Sequence, residues 1–243
     1  MQGVILLKFL WYSYFAVYLT LKSTALVKVK YLEKKDPQKA AQYAFKKVKE
    51  MTNHILKITK TDFQIYGEEN IPDEPCVFVA NHQAIFDVFA LLASMNQVTG
   101  FIAKKELSKL PLIPTWVRAI GTVFIDRSNA REGMKAINQG IENIKKGYSM
   151  VIFPEGTRSL SSAMGTMKKG SLKMAIKSEA PIVPVTIDGT YKVLEVGKKV
   201  SGHTIKIMFH KPIETAGLSK EDQKNLTEQV QAIVEEGLKK LTN

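Results

Sequence analysis

His82 and Asp87 are the residues whose types and spacing could do chemistry. They stand in Asn81-His82-Gln83-Ala84-Ile85-Phe86-Asp87, after the strand-forming run Cys76-Val77-Phe78-Val79-Ala80 and before an apolar helical run over 88–93. Reactive groups in α/β proteins are commonly found at such strand-to-helix junctions. Residues five apart on one helix point about 140° away from each other. For the two side chains to meet, His82 must precede the helix and Asp87 must lie on its early turn. The pair is then a general base and the carboxylate that orients it. The alternative is structural: Asn81 caps the helix, Asp87 complements its N-terminal dipole, and His82 is a junction residue.

Two further polar clusters follow predicted strands. The strand over 122–125 runs into Asp126-Arg127, and the strand over 149–153 runs into Pro154-Glu155-Gly156-Thr157-Arg158-Ser159. Arginine forms fixed two-pronged bonds to phosphate or carboxylate, whereas lysine is a solvated point charge. The chain has only four arginines, at 118, 127, 131 and 158. Arg127, Arg158 and Glu155 beside a histidine base describe a site for a phosphorylated substrate that also carries a hydroxyl. Gly156 allows close backbone approach to a ligand. Asp126 and Arg127 taken alone also read as a surface ion pair.

Other chemistries lack their motifs. There is no Gly-x-Ser-x-Gly elbow, no Gly-x4-Gly-Lys-Ser/Thr loop and no Gly-x-Gly-x-x-Gly. The other histidines, His54, His203 and His210, have no metal-ligand spacing, and the single cysteine, Cys76, excludes an internal disulfide and a multi-cysteine metal site. Cys76 reads as a buried core residue of its strand.

Strands over 62–67, 76–80, 100–103, 122–125, 149–153, 182–187 and 204–209 alternate with helices over 88–93, 112–120, 131–146, 169–177 and 219–241. Continuous apolar strands between amphipathic helices predict an α/β fold with a mostly parallel sheet flanked by helices. In such sheets sites lie at the carboxyl ends of the strands, which would gather the three clusters. This domain is expected over 61–243.

Residues 1–60 are expected to form a two-helix membrane-docking appendage. The segment 4–21 is apolar and aromatic, with Trp11, Tyr12, Tyr14 and Tyr18 in its middle rather than at its ends. That favours a helix lying within one leaflet's interface over one that crosses it. A second helix begins at Asp36-Pro37, with Ala44, Val48, Met51, Ile55 and Ile58 on one face and Lys46, Lys49, Asn53, Lys57 and Lys60 on the other. Taken alone it would be an ordinary surface helix packed on the domain. Twelve lysines face three acids in this quarter of a chain whose net charge is +12, so an anionic membrane surface is the expected partner. Nucleic acid is not, because base-stacking aromatics are not interleaved with the basic residues of the motif region.

The four segments also resemble a family. Asn81-His82-x4-Asp87, then Gly121-Thr122-Val123-Phe124-Ile125-Asp126-Arg127, Phe153-Pro154-Glu155-Gly156-Thr157-Arg158 and Pro181-Ile182-Val183-Pro184-Val185 occur in the order of the four motifs of glycerolipid acyltransferases. The similarity covers about residues 61–215 and is greatest to bacterial 1-acyl-sn-glycerol-3-phosphate acyltransferases. It implies acyl transfer from acyl-CoA or acyl carrier protein to lysophosphatidate, giving phosphatidate at the membrane without a metal; no other cofactor is expected, and the lysine-rich flanks of the N-terminal helices put them on the cytoplasmic face of the cell (inner) membrane. On that resemblance His82 is the base and Asp87 its partner. Arg127 and Arg158 hold the phosphate, Glu155 fixes an arginine or a substrate hydroxyl, Gly156 and Thr157 complete the third motif's loop, and Lys105 is a further phosphate candidate.

Overall fold

A computed structural model describes residues 13–126, 129–196 and 202–242. Arg127 and most of the apolar N-terminal run, residues 4–12, lie outside the described residues. The helices are α1 (Leu26–Glu33), α2 (Pro37–Ile58), α3 (Phe86–Ser94), α4 (Ile113–Ala119), α5 (Ala130–Lys145), α6 (Lys173–Ser178), α7 (Tyr191–Leu194) and α8 (Lys220–Thr242). The strands are β1 (Asp62–Tyr66), β2 (Val77–Ala80), β3 (Thr99–Lys104), β4 (Val123–Ile125), β5 (Ser149–Ile152), β6 (Ile182–Asp188) and β7 (Thr204–Phe209). They form one seven-stranded sheet in the order β1-β7-β6-β2-β5-β3-β4. The five strands from β6 to β4 are parallel. β7 runs antiparallel to β6, and β1 is parallel to β7, so one edge of the sheet is reversed.

The period-2 geometry of a strand sends alternate residues to opposite faces. Phe78, Val151, Val183, Val185 and Ile187 join a core shared with α2, α3 and α4. Val77, Val79, Met150, Ile152 and Ile182 join a second core under α5, α6 and α8. Both faces are covered, which is why the central strands read as unbroken apolar runs. Helix α6 begins at Lys173, four residues later than its pattern predicts, because 169–172 form turns.

Caps occur where the sequence encodes them. The Asp36 carboxylate accepts the Lys39 N–H at 3.0 Å ahead of Pro37, and Ser219 Oγ accepts the Asp222 N–H at 3.1 Å. Helix α2 buries Ala44, Val48, Met51 and Ile55 in the first core, while Ile58 remains exposed. Exposed large apolar residues lie ahead of it: Tyr14, Val17 and Leu21 on the helical segment 13–22, and Val27 and Tyr31 on α1. Among the described residues, no helix is long and apolar enough to cross a membrane.

Candidate active site

β2 ends at Ala80, and its register with β6 is carried one step further by a side chain. The Asn81 amide donates to the Ile187 carbonyl and accepts the Ile187 N–H, both at 2.8 Å. The chain then turns through His82 and Gln83 into α3, whose first turn carries Asp87. His82 therefore precedes the helix and Asp87 lies on its first turn, and the two meet: His82 Nδ1 lies 2.6 Å from Asp87 Oδ2. A carboxylate offers only acceptors, so Nδ1 is the donor of this bond and, in the neutral ring, Nε2 is the acceptor. Asp87 is fully buried. Its Oδ2 also accepts the N–H groups of Gln83 at 2.7 Å and Ala84 at 2.9 Å.

The ring of His82 is 16% exposed and stacks on Phe153, with ring centroids 4.1 Å apart. The β5 loop also fixes the histidine's backbone. Ser159 N–H donates to the His82 carbonyl at 2.9 Å and Leu160 N–H to the Gln83 carbonyl at 3.0 Å. Leu160 adopts a left-handed φ of 57° to do so, a conformation that costs an L residue about 1–2 kcal/mol.

Glu155 takes backbone partners on both sides of the site. Its Oε1 accepts the His82 N–H at 2.7 Å and its Oε2 accepts the Gly165 N–H at 2.6 Å. Among the described residues both of its oxygens are held by backbone donors. Only glycine permits the second contact, since a Cβ at 165 would lie 2.8 Å from Oε2. Gly156 is needed for a different reason, its φ of 77° in the turn that follows Pro154.

Burial raises the Glu155 pKa, against the lowering effect of the His82 and Gly165 N–H groups. A folded pKa above the unfolded 4.5 gives stability that is present below 4.5 and is lost as pH rises through the shifted value. Glu155→Gln cannot titrate and turns an amide N–H toward one of the two donors. Its stability deficit relative to the wild type should therefore be greatest near pH 4 and shrink as the pH rises. Denaturant midpoints at several pH values check this; a deficit that grows with pH would contradict it.

Arg158 pairs with Glu195 Oε1 at 3.1 Å, and the same oxygen accepts the Ile85 N–H at 3.0 Å. The arginine is thereby tied to the loop between His82 and α3. Its side chain is 47% exposed, so part of the guanidinium is open to a ligand. Lys105 follows β3 and pairs with Asp126 at 3.3 Å. The carboxyl ends of β2, β5 and β4 do share one edge of the sheet, although β3 separates β5 from β4. Thr157 is exposed in the loop carrying Arg158. Among the described residues no cluster of His, Cys, Asp or Glu could hold a metal ion.

A groove of about 300 Å³ opens beside Phe153 and Gly156, between the sheet and α5. Its walls include Ile102, Ile125, Ile137 and Met174, and Lys168 and Lys169 stand among its polar lining. Reading the sequence also missed Gln83, Thr190 and Glu195. The carboxyl-edge rule, applied to β6 as it was to β2 and β5, would have pointed to 188–195.

The fold and the site together define an α/β protein with a buried-carboxylate histidine at the carboxyl edge of a parallel sheet, beside an apolar groove. A protein-family model described as "Acyltransferase" matches residues 62–188, and the chain belongs to the acyltransferase family. A protein of Mycoplasma pneumoniae named probable 1-acyl-sn-glycerol-3-phosphate acyltransferase is 30% identical over 88% of this chain and 85% of its own length. The chloroplast 1-acyl-sn-glycerol-3-phosphate acyltransferase BAT2 of Brassica napus is 39% identical over 65% of this chain, and the match spans 46% of that protein. The crystal structure of the 1-acyl-sn-glycerophosphate (LPA) acyltransferase PlsC from Thermotoga maritima superposes with a TM-score of 0.81 at 29% identity, over 99% of both chains.

Proposed function

We propose that this chain transfers an acyl group from a thioester, acyl-CoA or acyl carrier protein, to the sn-2 hydroxyl of 1-acyl-sn-glycerol 3-phosphate, forming phosphatidate. The observation that carries the reading is the His82–Asp87 bond at 2.6 Å, in a family whose relatives bear that activity in their names. His82 Nε2 takes the hydroxyl proton as the oxygen attacks the thioester carbonyl, and Asp87 stabilises the imidazolium that results. The tetrahedral intermediate collapses to the new ester, and the departing thiolate takes the proton back from His82. The acyl chain lies in the apolar groove beside Phe153, and the phosphate is met by Arg158 together with Arg127. Glu155 supports the reaction by holding the His82 backbone.

The test is purified protein in detergent with both donor types. Lysophosphatidate should yield phosphatidate, while monoacylglycerol, which lacks the phosphate, should react far more slowly. Release of free fatty acid in place of phosphatidate would identify a thioesterase, and equal use of glycerol 3-phosphate would move the acceptor.

The same reading has the enzyme bind one leaflet of the membrane; among the described residues no helix is long and apolar enough to cross it. Tyr14, Val17, Leu21, Val27 and Tyr31 would enter the interface, with Lys22, Lys28 and Lys34 exposed beside them for anionic headgroups. Leu21→Glu/Val27→Glu should abolish flotation with vesicles containing anionic lipid. Undiminished flotation would remove this surface from the proposal.

A further inference from the structure

The hydroxyl of Thr190 donates a hydrogen bond to Asp87 Oδ1, the oxygen that His82 does not use. The two residues are 103 positions apart, and Thr190 is fully buried. Its place in the chain makes the bond informative. Thr190 is the N-cap residue of the four-residue helix α7, where a threonine ordinarily accepts a hydrogen bond from the helix's first N–H groups. Here the side chain makes no capping bond. Its hydroxyl is turned away from its own helix and toward the carboxylate behind the histidine.

The surroundings hold it there. The Gln83 side chain fills the space between the His82 loop and the end of β6. Its amide donates to Asp188 Oδ1 at 3.1 Å, and its carbonyl accepts the Gly189 N–H at 3.0 Å. The segment 188–190 is thus fixed against the loop 82–87 by one buried side chain, and Thr190 arrives at Asp87 already oriented. Asp87 Oδ2 takes three donors, from His82, Gln83 and Ala84. Thr190 is the donor that serves Oδ1. Without it a buried carboxylate oxygen would lack that partner, and the carboxylate plane would be free to turn about its bonds to the loop.

We infer that Thr190 is a positioning residue of the reaction: it sets the orientation of Asp87 and, through it, of the His82 imidazole. This rests on the reading of His82 as general base. A residue that acts through the base should affect the chemical step and not substrate binding. Thr190→Val, which keeps the shape and removes the hydroxyl, should lower kcat about tenfold, the scale set by leaving one buried acceptor unpaired, with KM for donor and acceptor unchanged. Thr190→Ser, which keeps the hydroxyl, should return kcat to within about twofold of the wild type. In NMR spectra the His82 Nδ1 proton should move in Thr190→Val and return in Thr190→Ser. If Thr190→Val folds poorly, Thr190→Ala against Thr190→Ser gives the same comparison. The inference is overturned if the hydroxyl-free variants keep wild-type kcat, if the serine fails to restore it, or if the loss appears in KM. His82→Ala separates the two failures. An active His82→Ala enzyme defeats the base reading itself, whereas an inactive one beside a fully active Thr190→Val defeats only the role of Thr190.

Discussion

His82→Ala should lower the rate of phosphatidate formation by about 10²- to 10⁴-fold, the range for loss of a positioned general base, while the protein remains folded. The folded state should survive because the structural bonds at position 82 belong to the backbone. The N–H goes to Glu155 and the carbonyl receives Ser159, and neither depends on the imidazole. What is lost besides the base is one stacking contact on Phe153 and the Nδ1–H bond to Asp87, whose Oδ2 keeps the Gln83 and Ala84 N–H groups. The sequence holds a single thiol that could carry the acyl group covalently, Cys76, and its environment argues against that route. It is fully buried, and burial pushes its pKa up to about 12. A thiol in that state is not a thiolate at neutral pH. Cys76→Ala should therefore retain activity where His82→Ala does not. Steady-state rates of the two variants, with circular dichroism for the fold, decide the matter. Substantial turnover by His82→Ala would remove the histidine from the mechanism.

The strands and the histidine–aspartate contact were legible because both depend on local order. Apolar runs such as 76–80 are long enough to be buried on both faces, and a five-residue spacing across a helix start brings two side chains together. Partners chosen across the fold were not legible. Nothing in the order Pro-Glu-Gly-Thr-Arg says that Glu155 will accept the N–H of a residue 73 positions earlier, or that Arg158 will pair with Glu195. The amphipathic helix α2 illustrates a different gap. An apolar stripe records that something apolar covers it, and a sheet and a membrane satisfy that equally; Ala44, Val48 and Met51 are covered by the protein's own core. The direction of β7 and β1 was likewise hidden, since alternating strands and helices do not state which way an edge strand runs.

Asp87→Asn should reduce kcat by about 10²- to 10³-fold, with little change in KM, and the reason for that size lies in the two backbone donors beside the histidine. An asparagine has one acceptor oxygen and one amide donor. If its nitrogen faced His82, it would meet the N–H groups of Gln83 and Ala84 head-on, leaving both without acceptors. The oxygen must therefore take the place of Oδ2, and the nitrogen must face the Thr190 hydroxyl, which can accept as well as donate. In that arrangement His82 Nδ1–H keeps an acceptor and the ring keeps its tautomer. Only the negative charge is removed. A unit charge about 4 Å from the forming imidazolium is worth up to about 4 kcal/mol at an effective dielectric constant near 20, and part of that is restored by the neutral hydrogen bond. A loss of about 3–4 kcal/mol in the transition state corresponds to the stated range, since each 1.36 kcal/mol is tenfold. Asp87→Ala should behave differently. It strands the Gln83 and Ala84 N–H groups in a fully buried site and leaves the Thr190 hydroxyl a longer 3.4 Å contact with Gln83 Oε1 in place of the carboxylate, so its thermal midpoint should fall well below that of Asp87→Asn. Equal stability of the two variants, or full activity of the asparagine enzyme, would contradict the role given to this carboxylate.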